Sequence, residues 1–504
     1  MNKILADETI QNKIKEYSEK INQYWKKNPD NAKISDVRAR LPDGSFQKDP
    51  NENELKFIDL VMEGGGVLGF ALVGYTYLLE EMGIRFVGLG GTSAGSINAL
   101  LLASLDKFTA KKSEKVLDII DKKSFFDFVD GGWLVKKLIN FIIKLNKTGN
   151  KKIKIGIINS SIICFISFFV FMFLKWPNPW LTLGIFTLIL LIFTYFYLKV
   201  RRLLGINPGN NFEYWLEDVL KVKGLNPINS INDIERNFYD SKIEIYNIEK
   251  NIPISYCVNK KLAIISSEVI TESKIQLPFM SKLFFNNPDC VHPSKFVRMS
   301  MSIPFFFKPV RLTNLPNSDY VKRCWWDWAG YGRSNDQHRD DVENSMVKYP
   351  TELMFEDGGI ISNFPIDCFH TTNKFISSYN CDGSRRKPIE TYTPSMPTFG
   401  VKLGIDRCTP KIVYSPLNLG GQIFNTSRHL HDYEFLISHP DYRMLVSYIR
   451  TDETKVNWLD FNMNDEDKKK LFLAGMQTAY EFLMKFNWIE YKKTRAELEK
   501  VIWR

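Results

Sequence analysis

The chain has 504 residues, a formal net charge of +10, and 44% hydrophobic and 25% charged residues. That length holds one large α/β domain with insertions or about two or three smaller ones, and so moderate a charge is read without a nucleic-acid partner. Seven cysteines, an odd number with no C-x-x-C spacing, speak against a disulfide framework or a zinc site and fit a reducing compartment for the soluble part. No metal or cofactor is expected.

Residues 1–55 read as a charged N-terminal extension with a helix over 7–26, which either binds a partner or decorates the surface. They contain no long apolar core, so no signal peptide is expected. Phe57–Met62 (FIDLVM) reads as a strand that runs into GGGVLG at 64–69, and Phe70–Met82 has helical periodicity. A glycine run between strand and helix exposes backbone N–H groups at a helix start, which suits either an oxyanion or a phosphate. The phosphate reading is the weaker one. G-x-x-x-x-G-K-[ST] is absent, and the spacing of Gly64, Gly66 and Gly69 lacks the acid expected after a second strand. That second strand, Ile84–Leu89, ends instead in GTSAG, and Ser96–Leu105 follows as an apolar helix. Gly91 and Gly95 flank Ser93 in the G-x-S-x-G pattern of a nucleophile elbow. Alone, the pentapeptide also fits an ordinary glycine-rich turn. The two glycine motifs are expected side by side at the carboxyl ends of neighbouring parallel strands.

Farther on, Asp130-Gly131-Gly132 reads as a turn. Trp133–Leu145 has an apolar face and a basic edge, which suits either the lipid headgroup region or an ordinary core contact. Ile155–Leu174 and Trp180–Leu198 are uncharged runs long enough to cross a bilayer, joined by a turn with prolines. Tryptophans and tyrosines stand at their ends, and lysines and arginines crowd both outer flanks. The positive-inside rule then puts both flanks, and both termini, in the cytoplasm. The alternative is a helical hairpin buried in a large soluble core.

A nucleophilic serine needs a base. None of His292, His338, His370, His429, His431 or His439 has the local context of a triad member, although sequence leaves them open. Glu352–Glu356 reads as a strand leading into Asp357-Gly358-Gly359, where an acid at a strand end with two small residues behind it can approach a serine closely. Residues 311–351 and 371–397 look like insertions. They are surface loops, or the first is a lid whose Trp325, Trp326 and Trp328 cover the site; residues 311–351, like 1–55, are also a candidate surface for a regulatory partner. Asn464 is a predicted N-cap with acids in the turn that follows.

GGGVLG, GTSAG and DGGIISNFP, in that order and spacing, resemble the patatin-like phospholipase family. FVRMSMSIPFFFKPV at 296–310 and the helix over 460–483 are similar to further family segments. The resemblance implies an α/β fold with a mostly parallel sheet flanked by helices. It divides the chain into a first part at 56–130, an inserted amphipathic helix and transmembrane hairpin at 131–204, a second part at 205–484 and a helical tail at 485–504. It implies a Ser93–Asp357 dyad without histidine and an oxyanion hole from Gly64, Gly65 and Gly66, with Gly69, Gly91, Gly95, Gly358 and Gly359 in support. The implied activity is release of fatty acids from membrane glycerophospholipids through an acyl-enzyme, without cofactor or metal. The alternatives are a lipase or transacylase on another ester lipid, or a membrane scaffold with weak catalysis. One departure stands out: Leu68 occupies a position where the family usually has Arg or Lys.

Overall fold

Ile10, Ile14, Tyr17, Ile21 and Trp25 recur at three- and four-residue steps, so one face of an otherwise charged segment is apolar. In the computed structural model that face is the buried side of α1 (Glu8–Lys27), capped by Asp7, whose carboxylate accepts from the Thr9 N–H at 2.9 Å. The structure describes residues 2–50, 52–133, 136–137, 204–221, 227–329, 349–370, 394–404, 413 and 416–502, together with 184, 187–188, 190–191 and 194.

An eight-stranded sheet forms the centre. Its strands are β1 (Lys56–Met62), β2 (Ile84–Thr92), β3 (Leu262–Glu268), β4 (Ser273–Leu277), β5 (Val310–Thr313), β6 (Glu352–Asp357), β7 (Thr398–Leu403) and β8 (Val446–Ile449). The neighbours β3–β2–β1–β7–β8 are parallel, and β1 and β2 are buried along their whole length. Such continuous apolar runs mark strands covered on both faces. The sheet is mixed, because β4, β5 and β6 join antiparallel. Along one edge of β3, β4 pairs from Ile264 to Glu268. The opposite edge is shared: Ile265 faces Thr92 of β2, and the next residue, Ser266, faces Asp357 of β6. Strands β2 and β6 therefore run toward each other in one lane and stop end to end.

The helices that matter for the site are α2 (Phe70–Glu81), α3 (Ala94–Ser104), α4 (Asn210–Val219), α5 (Pro293–Ser300), α6 (Pro416–Ser438), α7 (Asp465–Leu483) and α8 (Trp488–Ile502). The predicted cap of α7 is present, with the Asn464 side chain accepting from the Asp467 N–H at 2.8 Å. Both ends of the chain are built into the body, which corrects the picture of residues 1–55 as an appended extension. Tyr17 stacks on Tyr480 of α7 at 4.7 Å, and Lys469 of α7 pairs with Asp7 at 2.6 Å. Val37–Arg40 pairs antiparallel with Glu244–Asn247. In α8, Trp488 and Tyr491 are buried, and Arg495 pairs with Asp441 at 2.9 Å.

Residues on either side of the expected 131–204 insertion are joined. Asp130 accepts from the Gly209 N–H at 2.9 Å and the Asn211 N–H at 3.2 Å, and Asn207 accepts from the Gly131 N–H at 2.9 Å. The expected spans at 155–174 and 180–198 lie outside the described residues, apart from isolated helical positions from 184 to 194. Among the described residues no helix is long and apolar enough to cross a membrane.

Candidate active site

Ser93 follows the last residue of β2 and precedes α3, with φ 50° and ψ −116°. A non-glycine residue in this region is strained, as expected of a serine forced up at a sharp strand-to-helix elbow. Close packing fixes the turn. A Cβ on Gly95 would lie 2.2 Å from the Met62 carbonyl oxygen, so only glycine lets α3 approach the end of β1. Gly91, near the end of β2, packs equally closely on Gly95. The elbow is also held from outside. The Ser93 N–H donates to Ser300 Oγ at 2.9 Å, and that hydroxyl donates to the Ile265 carbonyl at 2.6 Å.

Asp357 arrives from the opposite direction at the end of β6. Its N–H donates to the Ser302 carbonyl at 2.8 Å, and its carboxylate accepts from the Gly359 N–H at 2.7 Å. Gly358 is needed because a Cβ there would meet the Ile265 carbonyl oxygen at 2.2 Å and Thr92 Cγ2 at 2.9 Å. Burial raises the Asp357 pKa above the ordinary carboxylate value. The Gly359 N–H, the Arg428 charge and a hydrogen bond with the Ser93 side chain pull in the other direction. Ser93 and Asp357 are 7% and 8% exposed and line one cavity of about 200 Å³.

The glycine loop after β1 forms another wall. Gly66, at φ 57°, starts a 3₁₀ turn that ends at Gly69, and α2 follows directly. The expectation for Gly64 needs correction. Its N–H donates to the Asn363 carbonyl at 3.0 Å and so is already engaged. What Gly64 contributes is a fixed carbonyl, which accepts from Asn363 Nδ2 at 3.0 Å and from Arg428 Nη2 at 3.1 Å. The N–H groups of Gly65 and Gly66 have no hydrogen-bond acceptor among the described residues. Leu68 lines the same cavity.

Sequence reasoning missed Ser300, Glu63, Asn363, Arg428 and Asp432. Glu63 accepts from Asn363 Nδ2 at 3.0 Å and from the Leu403 N–H at 2.5 Å, tying the glycine loop to β7. Asp432 accepts from Ser362 Oγ at 2.7 Å and the Phe364 N–H at 2.8 Å, which anchors α6 to the loop after Gly359. One turn earlier on the same helix, Arg428 and His429 enter the cavity wall. The one available signal was the four-residue spacing of Arg428 and Asp432 on a helix. Of the other histidines, His292 caps α5, His370 shares a hydrogen bond with Tyr442 and His439 contacts the Phe435 carbonyl. His431 lies 3.7 Å from Asp367, and His338 lies outside the described residues.

Two of the three tryptophans of the alternative lid reading are packed into the body instead. Trp325 is 2% exposed within the main core, and Trp328 packs on Phe279 at 4.7 Å beneath Lys282. The other Asp-Gly-Gly serves structure, since Asp130 binds the N-terminus of α4.

A parallel-centred α/β sheet with a serine elbow, a glycine loop and an Asp-Gly-Gly strand end defines a class of serine acyl hydrolase folds. The chain belongs to the patatin-like phospholipase family, whose pattern it matches over residues 60–370. Membership places it among lipid hydrolases. It is 23% identical over 434 residues to the uncharacterized protein YqhO of Bacillus subtilis (strain 168), an alignment covering 86% of this chain and 100% of YqhO. Among solved structures it is similar to the crystal structure of VipD from Legionella pneumophila, with 12% identity and a TM-score of 0.33. That alignment covers 90% of this chain and 70% of VipD.

Proposed function

We propose that the protein is a membrane-associated acyl hydrolase that releases fatty acids from glycerophospholipids through a Ser93–Asp357 dyad. The observation that carries this reading is the placement of Ser93 and Asp357, both buried, at the junction of β2 and β6 in the wall of one cavity, beside two unengaged glycine N–H groups. Asp357 accepts the Ser93 proton as Oγ attacks the ester carbonyl. The N–H groups of Gly65 and Gly66, at a helix start, receive the negative charge that develops on the carbonyl oxygen. The tetrahedral intermediate expels the lysophospholipid alkoxide, which takes the proton back from Asp357 and leaves Ser93 acylated. Water then gives a proton to Asp357 and attacks the acyl carbonyl. The fatty acid leaves, and the proton returns to Ser93 Oγ. A raised carboxylate pKa makes Asp357 a stronger base than a free carboxylate, which favours the first step.

Association with a lipid surface is supported by apolar side chains left in solvent. Phe305, which follows the cavity-lining Ile303 and Pro304, is 73% exposed. Leu419, Ile423, Leu430 and Ile437 form one exposed stripe along α6, on the side away from Arg428. The described helical positions Leu188, Leu190 and Leu191 are exposed too. The spans at 155–174 and 180–198 would hold the enzyme at the bilayer, with the catalytic body and both termini in the cytoplasm. Fluorophosphonate labelling and fatty-acid release from phosphatidylcholine vesicles test the chemistry, and both must vanish in Ser93→Ala. Replacing residues 151–202 with a short polar linker tests the anchoring. The shortened protein should cleave a dispersed short-chain ester and lose most activity on vesicles. Equal activity on vesicles would refute a role for the segment in anchoring.

A further inference from the structure

Among the described residues that line the cavity, Arg428 is the sole lysine or arginine. Its hydrogen-bonding capacity is mostly unspent. Nη2 donates to the Gly64 carbonyl at 3.1 Å, which is the one hydrogen bond from its guanidinium among the described residues. Nε is enclosed without an acceptor. An arginine carries five N–H donors, and an enclosed donor without a partner is costly. The cavity's carboxylates do not account for it. Glu63 is held by Asn363 and by the Leu403 N–H, and no ion pair joins Arg428 to Glu63 or Asp357 among the described residues.

The location is equally specific. Gly64, whose carbonyl Arg428 holds, sits so close to the elbow that a Cβ on it would be 3.2 Å from Ser93 Cβ. A Cβ on Gly359 would be 2.8 Å from Asp357 Oδ1 and 3.6 Å from Arg428 Nε. The cation thus stands one glycine away from each member of the dyad. It is also held in place, because Asp432 one turn along α6 is bound by Ser362 and the Phe364 N–H. A planar fork with free donors, fixed a few bonds' reach from a serine nucleophile, matches two oxygens of a phosphodiester.

We propose that Arg428 is the phosphate-recognising residue of this site, gripping the phosphodiester of a glycerophospholipid while its ester carbonyl lies against Ser93. The assignment rests on the reading of the cavity as an acyl hydrolase site. It makes the site selective for phospholipid over neutral glyceride.

The test compares soluble dihexanoyl phosphatidylcholine with dihexanoylglycerol as substrates of the full-length protein. In Arg428→Gln the ratio of their kcat/KM values should fall about tenfold or more, chiefly through the KM for the phospholipid. Arg428→Lys, which keeps the charge and loses the fork, should give an intermediate ratio. A parallel fall on both substrates would overturn the assignment, because it would make Arg428 only a support for the glycine loop. A second measurement keeps Arg428 and needs no turnover: Ser93→Ala protein titrated with glycerophosphocholine and with glycerol. Tighter binding of the phosphodiester is expected, and equal binding overturns the assignment. If neither ester is cleaved yet the phosphodiester binds more tightly, the hydrolase reading fails and the phosphate site stands.

Discussion

The chain contains the tripeptide Asp-Gly-Gly twice, at 130–132 and 357–359, and the two copies do unrelated work. Asp130 is half-buried and accepts two backbone N–H groups at the start of α4. Asp357 ends a strand, is enclosed, and lines the same cavity as Ser93. Nothing in the tripeptide distinguishes them. The difference lies in what precedes each copy: Glu352–Phe355 is strand, whereas Phe125–Phe128 is a short 3₁₀ turn. One carboxylate is delivered by a strand into the wall of a cavity and loses its water; the other stays half-buried and serves as a helix cap.

Exchanging the acids should show the largest contrast. Asp357→Asn should lower fatty-acid release about a thousandfold or more, since a dyad acts as a unit. Asp130→Asn should keep most of it. Near-full activity in Asp357→Asn would break the comparison at once. Stability should move the other way, because burial makes the Asp357 charge unfavourable. Thermal melts at neutral pH should find Asp357→Asn at least as stable as the parent.

The glycines behind the acids sharpen the contrast. Gly358→Ala forces a Cβ against the Ile265 carbonyl oxygen and should cost about 2–4 kcal/mol in chemical denaturation. Gly132 has open space where its Cβ would go, so Gly132→Ala should stay within about 0.5 kcal/mol of the parent. Similar losses for the two would mean that the strand junction is looser than the packing indicates.

A pH profile gives a smaller, graded difference. In the proposed mechanism Asp357 acts ionised, and its pKa is raised by burial, so kcat/KM should fall with decreasing pH above the ordinary carboxylate range. Asp130→Ala should leave that acid limb in place. A limb at the position of a free carboxylate would rule out Asp357 as the titrating base.

A further contrast, in the pH dependence of stability, is expected beside the copy at 357–359. Burial, and then the neighbouring Asp357, push Glu356 up to about 8. Between the ordinary glutamate value of 4.5 and about 8 the folded protein keeps a proton that the unfolded chain releases, so stability declines as pH rises through that window. Glu356→Gln removes this dependence. Its melting temperature should exceed the parent's by a margin that grows with pH up to about 8 and then levels. A constant margin would show that Glu356 is ionised throughout.

Much of the catalytic half was legible. The strands at 57–62, 84–89 and 352–356, the two glycine motifs and the cap at Asn464 each follow from local chemistry, and each formed where expected. The direction of β6 was not legible, because strand periodicity is the same read either way; the sheet is mostly parallel as expected, and its antiparallel flank is what the sequence did not announce. The N-terminal helix was read as surface because its charges outnumber the one buried stripe from Ile10 to Trp25. Neither alternative offered for residues 311–351, loop or lid, anticipated the burial of Trp325: an aromatic cluster beside charges fits a lid and a core equally well, and only packing decides. Arg428 and Ser300 were invisible, since each is one polar residue on an ordinary helix whose meaning comes from a partner far away in sequence.

The hydrogen bonds that Asp130 and Asn207 make across the chain have one further consequence. They close the root of the segment between Gly132 and Gly205, so the chain leaves the body and returns to it at nearly one point. A loop with a closed root can lengthen at little cost, about 0.6 kcal/mol per doubling, and the sheet does not register what hangs from it. The spacing of the two ends is therefore set by the body, through Asp130 and Asn207, and does not depend on how many residues lie between them.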